Sequence, residues 1–143
     1  MNVTKRGQIT LALRDALKII STANGYNTNV YENVIKRFIF PDENPELPLI
    51  SLNAGPEQIQ YQPGGPQDRY LSITIRAYIE SQDDSIKATE EIIQDIEKVV
   101  EANSRLLLED GSVTRDIRIT TIDTDQGALA PLGVAEIQLI VEY

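Results

Sequence analysis

Two aspartates two residues apart, Asp123 and Asp125, come nearest in type and spacing to a group that could do chemistry. In an extended chain, side chains at i and i+2 point to one side. With Asp116 or Glu136, the pair could offer the oxygen ligands that Mg²⁺ takes. A small metal-dependent enzyme follows from that reading, and solvated acidic surface beside a loop is the alternative. Little else in the chain could assist a reaction. The 143 residues include no histidine and no cysteine. That removes the commonest general base, the serine–histidine–aspartate arrangement, thiolate nucleophiles and the usual zinc ligands. No Gly-x-x-x-x-Gly-Lys loop occurs and no Gly-x-Gly-x-x-Gly follows a strand. Gly64-Gly65 lies between Pro63 and Pro66 with no helix start behind it, so it reads as an exposed turn rather than a phosphate cradle. The expectation is a protein without catalytic site, metal or cofactor.

Charge and aromatic residues point to binding instead. The net charge is −9, unevenly spread: residues 1–40 carry six Lys/Arg and two Asp/Glu, and residues 41–143 carry seven Lys/Arg and 20 Asp/Glu. So acidic a chain repels nucleic acid over most of its surface. Its basic N-terminal part and acidic remainder could attract each other, within one subunit or between neighbours. Lys5, Arg6, Lys36, Arg37, Arg69 and Arg76, with Phe38, Phe40 and Tyr61, are the residues expected at a protein interface, where arginine and aromatic side chains are favoured. Phe38 and Phe40 could equally fill the core, and Tyr61 could be an ordinary surface tyrosine.

The elements that must position these residues follow from periodicity. Ile9, Leu13, Ala16 or Leu17, and Ile20 recur at helical spacing and predict an amphipathic helix over residues 5–23, with Thr4 as N-cap and Asn24-Gly25 as its stop. Val30, Val34-Ile35, Phe38–Phe40 and Leu47–Leu52 suggest short strands. Residues 53–69, with Pro56, Pro63, Gly64, Gly65 and Pro66, read as a long loop, with Gln58–Tyr61 as a small strand or hairpin arm inside it. Tyr70–Glu80 alternates cleanly and predicts a strand buried on one face. A second helix is expected over residues 83–103, its stripe Ile86, Thr89, Ile92-Ile93, Ile96 and Val99-Val100. Strands are expected over Val113–Asp123 and Leu132–Tyr143. Arg14, Asp15 and Lys18 interrupt the apolar N-terminal stretch, so it does not read as a signal peptide, and no run approaches the roughly 20 apolar residues of a membrane span. The fold expected is a single α+β domain over residues 1–143, a mainly antiparallel sheet with two amphipathic helices packed on one face.

In order and texture these segments resemble the bacteriophage tail terminator family, the lambda-like minor tail protein U group and its contractile-tail relatives. The residues that carry the resemblance are Leu17–Val30, a helix ending in Ala-Asn-Gly-Tyr before a strand, then Leu47–Leu52, Leu71–Tyr78, the helix containing Ala88 and Ile92–Glu97, and the closing Val141-Glu142-Tyr143. The loop at 53–69 departs from the family pattern. The resemblance implies a virion protein at the head-proximal end of the tail: a ring, usually hexameric, that caps the tail tube and ends its polymerisation. Its implied partners are copies of itself, the tail tube protein, the neck or connector proteins and, in contractile tails, the sheath protein. DNA would pass through the ring without specific binding, and no membrane is involved. Another neck or head-tail connector subunit is the alternative structural role.

Overall fold

The computed structural model describes residues 4–30, 33–35 and 46–143. The predicted strand around Phe38–Phe40 lies outside them. Thr4 caps the first helix, α1 (Lys5–Leu17), by accepting a hydrogen bond from the Gly7 N–H at 3.1 Å. The helix is shorter than predicted. It ends at Leu17, and the chain reaches Gly25 (φ 88°) through a separate 3-10 turn at Thr22–Asn24. Ile20 is nonetheless fully buried beside Ile9, Leu13 and Leu17, so the apolar stripe outlasts the helix that begins it.

Among the described residues five strands form one sheet: β1 (Val34–Ile35), β2 (Leu49–Tyr61), β3 (Gln67–Glu80), β4 (Asp116–Thr124) and β5 (Leu132–Glu142). The second helix, α2 (Ser85–Ala102), lies between β3 and β4 in sequence. The strand order is β1-β2-β3-β5-β4, antiparallel except for the two-residue β1–β2 pairing. Opposed residues of a pair share a face, so the registers set Ile50, Leu52, Ile73, Ile75, Ile137, Leu139 and Val141 on one side. These residues form a single buried cluster with Ile9, Leu13 and Leu17 of α1 and Ile92, Ile96 and Val99 of α2. Both helices therefore cover the same face, and the fold is the expected α+β domain. No helix of the described residues is long and apolar enough to cross a membrane.

The predicted loop over 53–69 is corrected. It is most of a long β2–β3 hairpin, whose turn spans only residues 62–66 and closes with the Gln62 N–H donating to the Pro66 carbonyl at 2.8 Å. Pro56 suggested loop because it cannot donate to a ladder. It is accommodated where the register shifts between Ala54 and Glu57, on the side of β2 that beyond Ser51 pairs with no described strand. β4 carries a second register shift, between Ile119 and Thr121. Gly64 and Gly65, at φ 92° and 108°, supply the left-handed backbone of the turn, as the exposed-turn reading required.

Asp84 caps α2, accepting from the Lys87 N–H at 3.0 Å. Two smaller expectations also change. Ile86, placed on the buried stripe, is 55% exposed because it sits in the first turn, past the edge of the sheet's cover. Tyr78, on the supposedly polar face of β3, is buried against Leu49 in a second small cluster with Ile35, Leu47 and Val134.

Two contacts lock α2 to the rest. Asp95, fully buried, accepts hydrogen bonds from the Asn27 and Thr28 N–H groups, each at 2.9 Å, and from the Thr28 hydroxyl at 2.6 Å. A Cβ at Gly133 would lie 2.1 Å from Thr89 Oγ1, so only glycine lets β5 approach the helix this closely.

Candidate interface site

The hairpin and α1 bring together three of the expected interface residues. β3 pairs with β5 only as far as Tyr70, beyond which Arg69 and Tyr143 exchange two backbone hydrogen bonds, at 3.2 and 3.0 Å. Residues 58–68 therefore project past the end of the sheet as an arm. On its helix-side face Ile59 lies opposite Arg69 and Tyr61 opposite Gln67. The start of α1 stands beside this face. Thr4, Lys5, Arg6, Gly65, Gln67, Arg69 and Tyr143 line the resulting open groove of about 640 Å³, with three cationic and no acidic side chains among them.

Each cation is also held by its own chain. Lys5 Nζ pairs with Asp110 at 2.9 Å and donates to the Ser112 hydroxyl. Arg6 donates to the Gly55 carbonyl, at the irregularity in β2. Arg69 pairs with Glu57 at 2.7 Å and also donates to Gln67. The attraction between basic and acidic parts thus operates at least partly within one subunit.

The root of the arm is a latch. The Glu57 carboxylate, only 7% exposed, receives Arg69 and the Tyr143 hydroxyl. Arg115 reaches Asp68 and lies 3.8 Å from Glu142. The Arg115 hydrogen bond, helped by Gln62, holds the Asp68 carboxyl below its ordinary range, and Asp68 in turn raises Arg115. Glu57 raises Arg69, while burial and then Glu57 push the Tyr143 phenol up. Hydrogen bonds from Ser112 and Lys5 lower Asp110 to about 2.

The remaining expected residues are scattered. Tyr61 is 72% exposed near the arm's end, as a binding side chain would be. Arg76 lies within the sheet's other face, paired with Glu136 at 3.2 Å, away from the groove. Lys36, Arg37, Phe38 and Phe40 lie outside the described residues. Sequence reading missed Glu57 and Tyr143, whose partnership depends on the register of three strands; it placed Ile59 in a small strand or hairpin arm, which is where it lies, without marking it as a contact residue.

The carboxylate site is not assembled. Asp125 has left the strand, and its oxygens accept the Gly127 and Leu129 N–H groups at 3.3 and 3.1 Å, so i, i+2 alternation no longer applies. Asp116 and Asp123 are both in β4, seven residues or roughly 23 Å apart at strand spacing. Glu136 is engaged by Arg76 and Gln138. Among the described residues, no group of three candidate ligands is placed to hold a metal ion.

The open cationic groove and the exposed arm present contact surface, and comparison with known proteins gives the chain's kind. The sequence model of the family described as Bacteriophage Tail Tube Terminator Protein matches residues 3–143, and the chain belongs to that family. It is 32% identical over 131 residues to the tail tube terminator protein p142 of Escherichia phage T5, covering 86% of this chain and 81% of that protein. Its fold is shared with a chain from the virion of a native gene transfer agent particle, at a TM-score of 0.66 and 12% identity, over 99% of this chain and 98% of that one. The protein is a tail-terminating component of the virion and not an enzyme.

Proposed function

We propose that the chain forms a closed head-to-tail ring, a hexamer, seated on the last ring of tail tube protein. There it halts tube growth and presents its far side to the neck or connector proteins that join the head. In a contractile tail the same ring also touches the last ring of sheath protein. The observation that carries this reading is the 32% identity to a tail tube terminator over most of both chains. It is supported by an arm and a cation-lined groove that no described element covers. The arm, the groove, Arg76 and the basic and aromatic residues 36–40 are the proposed contact residues. A net charge of −9 gives the subunits little affinity for DNA, which passes through the lumen without specific binding.

Incubating the protein with purified tail tubes and imaging them by electron microscopy tests the proposal. Density at one end of each tube, and failure of capped tubes to elongate when tube protein is added, is the expected result. Uniform decoration of the tubes, or no binding, would sink it.

A further inference from the structure

We infer that neighbouring subunits meet head to tail through two different patches of this chain, the hairpin arm with its cation-lined groove and an apolar, acid-rimmed corner around Ile86 and Leu129. The inference rests on the ring reading and adds to it which surfaces meet.

The corner lies at the opposite end of the sheet from the arm. Ile86 is 55% exposed in the first turn of α2, Leu129 is 49% exposed in the β4–β5 turn, and Ile122 is 38% exposed on β4. Ile86 leans over that turn closely enough that a Cβ at Gly127 would meet its Cδ1 at 3.1 Å. Ile86 lines a shallow hollow with Glu90, Thr124, Asp125, Gln126 and Gly127. Glu90 and Asp125 border it, and Lys87 is the cation next to Ile86 in sequence. Single exposed aliphatic residues are ordinary, but a group of them rimmed by charge is how association sites are built.

The arm presents the complement: exposed Ile59 and Tyr61 on the face of Arg69, beside Lys5 and Arg6. β3 begins at the hairpin turn and ends at Glu80, five residues before α2, so the patches are separated by about its 14 residues, roughly 46 Å. A subunit cannot bring its own arm to its own corner. The contact the two patches allow is with a second copy, and two unlike patches on one chain give a heterologous contact, the kind that closes into rings. Tyr61 is the large amphipathic anchor, and opposite charge around it sets orientation.

Two exposed substitutions test this, Tyr61→Asp on the arm and Ile86→Asp at the corner, each checked for parental circular dichroism and unfolding midpoint. Sedimentation velocity of the parent chain, with and without tail tubes, provides the reference. Each variant alone should fail to form rings, its self-association weakened on the order of 100-fold. Mixed in equal amounts, they should form a heterodimer and nothing larger, because one chain keeps its arm and the other its corner. Rings from Ile86→Asp alone, or a mixture that stays monomeric, would overturn the head-to-tail contact while leaving the ring itself standing. A parent chain that remains monomeric even on tube ends would instead overturn the ring reading and this inference with it.

Discussion

The helix-covered part of the sheet and the projecting arm are made from the same two strands by different means. Up to Ala54 the helix side of β2 and its partner β3 carries Ile50, Leu52, Ile73 and Ile75, all fully buried. Beyond the irregularity, that side carries Glu57, Ile59, Tyr61, Gln67 and Arg69, and the arm depends on ion pairs and hydrogen bonds at its root. Buried aliphatic area contributes about 25 cal/mol per Å², whereas partly exposed ion pairs contribute at most about 1 kcal/mol each. Stability resides in the first region and the arm adds little to it, so the arm can be changed with little effect on the fold.

The strongest attack on the covered region is Asp95→Ala. It removes the acceptor of three donors, two of them backbone groups, and should cost about 3 kcal/mol in chemical denaturation. Next comes Gly133→Ala, which forces β5 away from a Thr89 hydroxyl already fixed on the Ser85 carbonyl at 2.7 Å. Overpacking of this kind should cost about 1–3 kcal/mol, seen as a lower unfolding midpoint.

Changes at the arm should leave global stability nearly intact. Glu57→Gln, which keeps an oxygen to accept from Arg69 or Tyr143, should lower it less than either change above, yet speed amide hydrogen exchange across residues 58–68. Equal acceleration in β5 and α2 would show that the two regions are one cooperative unit.

The smallest effect is the pH response of the contact between α1 and the turn at Asp110. Asp110 is depressed in the folded state to about 2 from 3.8, so its contribution is fully present above 3.8 and is lost as pH falls through about 2. Carboxyl NMR titration should find Asp110 moved up towards its ordinary value by Ser112→Ala and, less strongly, by Lys5→Met. An unchanged titration would remove both hydrogen bonds as the cause.

The sequence made the covered region legible and the arm illegible for the same physical reason. One-sided burial writes itself as alternation, which located β3 and β5, and as helical spacing, which located most of both helices. The arm has water on both faces, so little constrains its residues to a pattern: only Gln58–Tyr61 alternates enough to suggest a strand or hairpin arm, and Pro56 imitates a loop. Convergence of Lys5, Arg6 and Arg69 depends on where α1 docks against a strand 60 residues on, which no local spacing records. Two missed features did leave a trace. Asp95 interrupts the apolar arc between Ile92 and Ile96, and a glycine one residue into an apolar strand, Gly133, signals close backbone approach.

The register shifts have one further consequence. β4 is irregular between Ile119 and Thr121, and β2, which among the described residues pairs with β1 over only two, is irregular between Ala54 and Glu57. An edge whose hydrogen-bonding rhythm is broken is a poor template for a stranger's strand. Copies of the chain are thereby discouraged from adding to one another indefinitely, sheet to sheet. A protein whose task is to end a polymer has edges that do not start one.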